Sequence, residues 1–365
     1  MSKGSRIGLS LLLVALACRA SDPKASEIGS VVQTPVLEWP RPDTLLSVTR
    51  TGSLRLVEGC SIPGSGQLAA DSLGVLISTS NRLLAMDWEC RETWSSPVSS
   101  NAGMPTGLCS VASLNDSALL LAEDMQGLRT LCRRTGRALS EGHFLGDLGG
   151  MYRPEIVPYL SAPCGVHVGR GLIVASQHAF TCHQCGACVV LYDESFHEVL
   201  VLGTKKREDG AAFSAVTSSG EASFFIATKD NDAIHELRPD GTMVRSLTCG
   251  HTRRRPAMAP AVCGGEKAFP KVFPIVVSLV FADPDTLWVL YGGGAFESDL
   301  SELWQVRLSS LEASVLQLPF LAEDAAVYGS ALAVVDVTSE MDAHGRYVVD
   351  PEKYRVHIGR WEVSE

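Results

Sequence analysis

Ala233–Leu247, AIHELRPDGTMVRSL, is the stretch on which the fold turns. Runs of alternating apolar and polar residues flank Arg238-Pro239-Asp240-Gly241. Proline fixes one backbone angle of that turn and glycine tolerates positive φ, so the whole reads as a two-strand hairpin. Just upstream lies a short apolar run, Phe224–Thr228, FFIAT. An apolar run followed by a hairpin is three strands of one small antiparallel sheet.

The same arrangement recurs along the chain. Apolar runs matching FFIAT are Gly74–Thr79 (GVLIST), Ala118–Ala122 (ALLLA), Leu172–Ser176 (LIVAS), Leu287–Tyr291 (LWVLY) and Leu332–Val337 (LAVVDV). Each is followed by a hairpin-like piece: Arg82–Trp94, Gly127–Leu139, Val189–Leu200, Leu303–Leu316 and Tyr354–Val363. A further β-rich run precedes each unit. Units of four short strands at this spacing predict an all-β fold, a six-bladed β-propeller, with seven blades as the alternative. A twisted four-stranded blade cannot cover both its faces, and stacking blades in a ring buries them against neighbours while protecting strand edges. No long 3.6-residue periodicity interrupts the pattern, which argues against an α/β fold. Thr44–Glu58 (TLLSVTRTGSLRLVE) reads as another hairpin ahead of the first unit, placed to complete the last blade and close the ring. The predicted propeller therefore covers residues 44–365.

In the piece Asp232–Leu247, where a strand leads through Asp-Gly into a second strand, the chain resembles the bacterial six-bladed β-propeller proteins of NHL-like architecture. Many of that group are exported lipoproteins, which the resemblance implies for this chain. It carries over no catalytic residue, since fold does not specify function.

The N-terminus reads as a targeting segment. Lys3 and Arg6 precede an apolar run, Ile7–Ala17, too short to span a bilayer of roughly 30 Å as a helix. Val14-Ala15-Leu16-Ala17-Cys18 resembles the lipobox of bacterial lipoproteins, with Ala15 where leucine is usual. That resemblance implies a signal peptide over residues 1–17, lipidation of Cys18 and a flexible tether over 18–43; a plain secreted protein is the alternative. The expected location is the bacterial cell envelope, anchored by lipid alone and facing the periplasm or the cell surface.

Cysteine usage agrees with export. Of 11 cysteines, setting Cys18 aside leaves Cys60, Cys90, Cys109, Cys132, Cys164, Cys182, Cys185, Cys188, Cys249 and Cys263, an even number that suggests disulfides in an oxidising compartment. Gln177–Cys188 (QHAFTCHQCGAC) sets Cys182, Cys185 and Cys188 beside His178 and His183. Thiolate and imidazole at that spacing can hold a divalent metal such as Zn²⁺. Against this, the run lacks a second Cys-x-x-Cys pair, so disulfides that staple the loop are preferred, with a metal site or a redox-active pair as alternatives. Cys249 and Cys263 are placed to close one loop on itself.

Long insertions fall between second and third strands and between units, which share one face of a propeller. They are His143–Cys164, Gln177–Cys188, Cys249–Phe273, Gly292–Glu302 and Thr338–Lys353. Long loops on a rigid scaffold carry recognition. His251 with Arg253, Arg254 and Arg255 forms a basic cluster there, suited to an anionic group or simply solvated. The net charge of −10 argues against nucleic-acid binding. The expected function is a monomeric module, without a cofactor, that binds a ligand or an envelope protein through this face. The alternative is a propeller enzyme, a metal-assisted hydrolase or lyase, with an axial site for which His167, Asp71 and Asp324 are the candidates. No Gly-x-Ser-x-Gly elbow or phosphate loop supports another chemistry.

Overall fold

The computed structural model describes residues 42–64, 66–79, 82–97, 108–123, 127–139, 163–169, 172–177, 188–193, 198–203, 213–218, 223–228, 233–249, 275–292, 301–337, 340–341, 347–348 and 353–364. Two strands, β1 (Thr44–Leu45) and β2 (Ser47–Pro63), lead into the repeat. The first blade is β3 (Gln67–Asp71), β4 (Gly74–Ser78), β5 (Arg82–Met86) and β6 (Glu92–Pro97), hydrogen-bonded in chain order. Next come β7 (Leu108–Asn115), β8 (Ala118–Glu123) and β9 (Gly127–Cys132), where a bridge from Leu131 to Ala138 starts a fourth position. Then follow β10 (Pro163–Gly169), β11 (Leu172–Gln177), β12 (Cys188–Tyr192) and β13 (Glu198–Gly203), and after them β14 (Phe213–Ser218), β15 (Phe224–Thr228), β16 (Ala233–Leu237) and β17 (Met243–Thr248). The fifth group is β18 (Ile275–Asp283), β19 (Thr286–Gly292), β20 (Glu302–Arg307) and β21 (Glu312–Gln317). The last blade holds β22 (Ala322–Tyr328), β23 (Ala331–Asp336) and β26 (Arg355–Ser364), with a small hairpin, β24 (Glu340–Met341) and β25 (Tyr347–Val348), between the last two. The fold is an all-β propeller: β3 packs on β7, β7 on β10, β10 on β14, β14 on β18, β18 on β22, and β22 again on β3.

The second strands show why these sheets stack. Side chains alternate between the faces of a strand. Val75 and Ile77 of β4 pack with Ala333 and Val335 of the last blade, whereas Leu76 packs with Val111, Leu119 and Leu121 of the next. In β15, Phe225 and Ala227 join Leu287 and Val289, while Phe224 and Ile226 join Val189 and Leu202. In β23, Leu332 and Val334 face β19 and β20, whereas Ala333 and Val335 face β4. Each such strand is apolar on both faces because each face belongs to a different neighbour. A fully buried Val, Leu or Phe contributes about 1.5–3 kcal/mol, so the ring is held chiefly by these walls.

The N-terminal segment departs from the hairpin read over Thr44–Glu58. β2 is one strand of 17 residues. Its first part pairs in parallel with β21, Ser47 opposite Glu312 to Ser53 opposite Gln317. Its second part pairs antiparallel with β26, Ser53 opposite Ser364 to Pro63 opposite Arg355. The last two blades thereby become one continuous eight-stranded sheet. Gly52, within the stretch read as a hairpin, is a site of close approach: a Cβ there would meet Val363 Cγ1 at 2.7 Å. Farther along, Gly59 and Gly359 face each other at positive φ, and a Cβ on either would collide with the carbonyl of the opposite strand. Glycine is required where two backbones come this close. Upstream, β1 lies parallel to β17 on the outside of its blade.

Candidate functional site

Successive connections in an antiparallel sheet alternate between its two ends. The links from first to second and from third to fourth strands are none longer than five residues, as at 72–73, 116–117, 238–242, 284–285 and 329–330. The other links leave from the opposite end and include every long one: 98–107, 139–162, 178–187, 204–212, 250–274, 293–301 and 337–354. One end of the propeller is plain, and the other roots the long segments.

Most of the sequence-derived sites fall in those segments. Cys18, His178, Cys182, His183, Cys185, His251, Arg253, Arg254, Arg255 and Cys263 lie outside the described residues. Cys109 lies in β7, Cys164 and His167 in β10, and Cys188 opens β12. Cys249 is buried directly after β17. Cys60 and Cys90 form a disulfide with Cα atoms 6.1 Å apart. It joins β2 to the turn between β5 and β6, and so ties the last blade to the first. Cys132, one of the disulfide candidates, is a free thiol. A hydrogen bond from the Thr135 side chain, with help from the Arg134 backbone, holds that thiol below its usual range. Sequence parity counted thiols, whereas pairing needs two cysteines within reach of each other.

Asp71 and Asp324, two of the three axial candidates, serve the scaffold. Asp71 closes β3 at the plain end, where Arg133 grips its carboxylate through Nε at 2.5 Å and Nη2 at 2.8 Å. Ser113 Oγ and the Leu73 amide donate to the same group. Arg133 is 2% exposed, and its carbonyl accepts from Trp94 Nε1. This is a buried bidentate pair between the first and second blades.

Asp324, near the start of β22, lies between two neighbouring first strands. Its Oδ2 accepts from the Leu68 amide of β3 at 2.7 Å and its Oδ1 from the Ala325 amide at 2.8 Å. Burial pushes its pKa up to about 6, against the hydrogen bonds from Ser278 of β18 and from those amides. The carboxyl therefore rivets three adjacent inner strands near the axis. Another buried ionisable group is His235 of β16, whose Nδ1 lies 2.7 Å from Ser246 Oγ and whose pKa burial lowers to about 4. Among the described residues no cluster of three metal-ligating side chains occurs.

A cavity of about 490 Å³ opens where the last two blades meet. Pro319 and Phe320 line it from the link between β21 and β22, Arg55 and Leu56 from β2, Asp336 from the end of β23, and His357 and Trp361 from β26. His357 and Trp361 are four apart on a strand and so share a face. The His357 ring stacks on Phe320 at 4.8 Å, and the edges of Trp361 meet both rings. His357 Nε2 lies 3.2 Å from Asp336 Oδ2, and Trp361 Nε1 donates to the Leu332 carbonyl. Asp336 closes β23 before segment 337–354, whereas Trp361 reaches back to Leu332 near the other end of that strand, so the cavity runs along β26. Sequence reasoning missed this group. The alternation in Tyr354–Val363 contains its His and Trp, but no local signal links them to Asp336 or Phe320.

No protein-family model matches the sequence, and no curated protein matches it. Solved structures do. The WD40 repeats of RRP9 superpose with a TM-score of 0.52 at 10% identity, over 87% of this chain and 99% of that one. A luciferin-regenerating enzyme gives 0.51 at 9% identity, over 84% and 92%. Regucalcin, a calcium-binding protein from Agrobacterium tumefaciens, gives 0.50 at 12% identity, over 88% and 96%. At such identity the likeness is one of fold, to β-propellers, and it assigns no activity.

Proposed function

We propose that this chain is a binding module: a six-bladed, NHL-like propeller, exported and lipid-anchored through Cys18, that engages a ligand or an envelope protein through the end bearing its long segments. One observation carries the reading. Every long connection departs from the same end of the sheets, while the opposite end consists of turns of five residues or fewer. A rigid ring with one elaborated end presents recognition segments from fixed roots. The cyclic packing of the first strands, β3 through β22 and back, supports six blades. The axial-enzyme alternative gains nothing from Asp71 and Asp324, because both carboxylates are engaged in joining strands. The reading takes the basic cluster His251, Arg253, Arg254 and Arg255 as a contact for an anionic group and assigns no cofactor.

The test is site-specific photo-crosslinking in a bacterial host. A crosslinker at His251 or Arg254 is expected to capture a discrete partner or ligand, and one at Ser330 or Asp116 on the plain end is not. Equal capture from both ends would remove the reading. Cys18→Ala is expected to move the protein from the membrane fraction to the soluble fraction.

A further inference from the structure

The cavity between the last two blades joins an apolar wall to polar groups of both hydrogen-bonding senses. Trp361 and Phe320 form the wall, continued by Leu56 and Pro319. Trp361 spends its single donor on the Leu332 carbonyl, so it offers the cavity ring surface only. Phe320 stacks on His357 and meets Trp361 at a steep angle, so the rings are held in place before any ligand arrives. The polar groups are Arg55, Asp336 and His357. Arg55 is an exposed residue of β2 and brings donors only. Glu362, opposite it across the ladder, lies 3.5 Å from Arg360, and among the described residues Arg55 forms no ion pair. Asp336 brings acceptors, and a carboxylate has about four lone-pair sites, which one contact at 3.2 Å from His357 Nε2 does not exhaust.

This set of groups discriminates among ligand classes. An anion gains at Arg55 and loses at Asp336, and a cation does the reverse. A neutral ligand whose hydroxyls both donate and accept meets each group in its own sense, without a charge conflict. It must also lay an apolar face on fixed rings. A pyranose has that shape, with C–H bonds on its faces and hydroxyls round its edge. The volume of about 490 Å³ lies in the range of small-molecule sites.

We propose that this cavity binds a neutral sugar, one pyranose unit with a C–H face against Trp361 and hydroxyls bonded to Arg55 and Asp336. The proposal needs neither the long segments nor lipidation, so it stands or falls separately from the binding-module reading.

The test titrates the whole protein with the methyl pyranosides of glucose, galactose, mannose and N-acetylglucosamine by saturation-transfer NMR. At least one is expected to bind saturably, with the strongest transfer to the C–H protons of one ring face. Arg55→Met keeps the length of an exposed, unpaired side chain and is expected to leave the melting temperature unchanged. It is expected to weaken that sugar about tenfold or more, the loss of a charged hydrogen bond. Trp361→Leu, which removes the stacking face, is expected to abolish saturation. Absence of saturation for all four sugars overturns the proposal, as does unchanged affinity in Arg55→Met. Tighter binding of benzoate, an aromatic anion, or of L-phenylalanine, an aromatic zwitterion, than of any of the four sugars also overturns it.

Discussion

The last blade has two junctions, and they are joined by different physics. On the side of β18–β21 the junction is main chain: β2 hydrogen-bonds β21 with its first half and β26 with its second, so one sheet runs through both blades. On the side of the first blade no backbone ladder crosses among the described residues. There the Cys60–Cys90 disulfide, the Asp324 carboxyl and the apolar layer of Val75, Ile77, Ala333 and Val335 make the join. A ladder spreads its contribution over many weak bonds and fails only when the strand leaves. A side-chain join concentrates it in a few groups, each removable by one substitution.

Deleting residues 42–63 tests the laced junction and has the largest expected effect. The outer edge of the last blade would stand open and Leu54 would leave its apolar cluster. Circular dichroism is expected to show no cooperative melting transition, and a transition within a few degrees of the intact protein would show that the lacing is dispensable.

Next comes Arg133→Met, at the junction of the first and second blades, where a buried ion pair adds to the apolar layer around Leu76. It leaves Asp71 buried without its partner, at a cost of about 3–5 kcal/mol in urea denaturation. A loss under 1 kcal/mol would mean that the carboxylate finds water instead.

The disulfide follows. A loop of 30 residues gives a chain-entropy contribution of about 3–4 kcal/mol. Cys60→Ser with Cys90→Ser is expected to lower stability by that order under oxidising conditions. A reductant should then affect the double variant far less than the native protein. Identical denaturation midpoints would assign the join to packing alone.

The smallest effect is visible only against pH. Asp324 has a folded pKa near 6, above its ordinary 3.8, so the folded state holds its proton more tightly and stability falls as pH rises from about 4 to 6. His235 acts in the opposite sense. Its folded pKa near 4 lies below 6.5, so its contribution is complete above pH 6.5 and is lost on acidification toward 4. Each is worth about 3 kcal/mol in full. In the native protein the two slopes offset each other between pH 4 and 6. Asp324→Asn is expected to gain stability at pH 7 and expose the acid-side loss, and His235→Gln to expose the opposite slope. A flat profile in both variants would show that neither group is the source.

The sheets were legible in the sequence because their cause is local. GVLIST and FFIAT are apolar on both faces, and only stacked blades bury both. The Pro-Asp-Gly turn at Pro239 likewise declares itself. The run of β2 was misread because Gly52, within the stretch read as a hairpin, serves two backbones converging from distant parts of the chain. Asp71 was read as axial since nothing nearby announces Arg133. The Asp336–His357 cavity was invisible for a similar reason: its walls come from three separate stretches of chain. Disulfide capacity could be counted, but the partner of Cys60 depended on where ring closure brings β2.

The double pairing of β2 also sets an order of events. A ribosome delivers this strand early, yet its first partner, Glu312–Gln317, emerges some 250 residues later and its second, Arg355–Ser364, later still. The first half of this seventeen-residue strand waits for β21 and the second half for β26. A polypeptide released before β26 could fasten only the first half of β2 and would leave the second without its ladder.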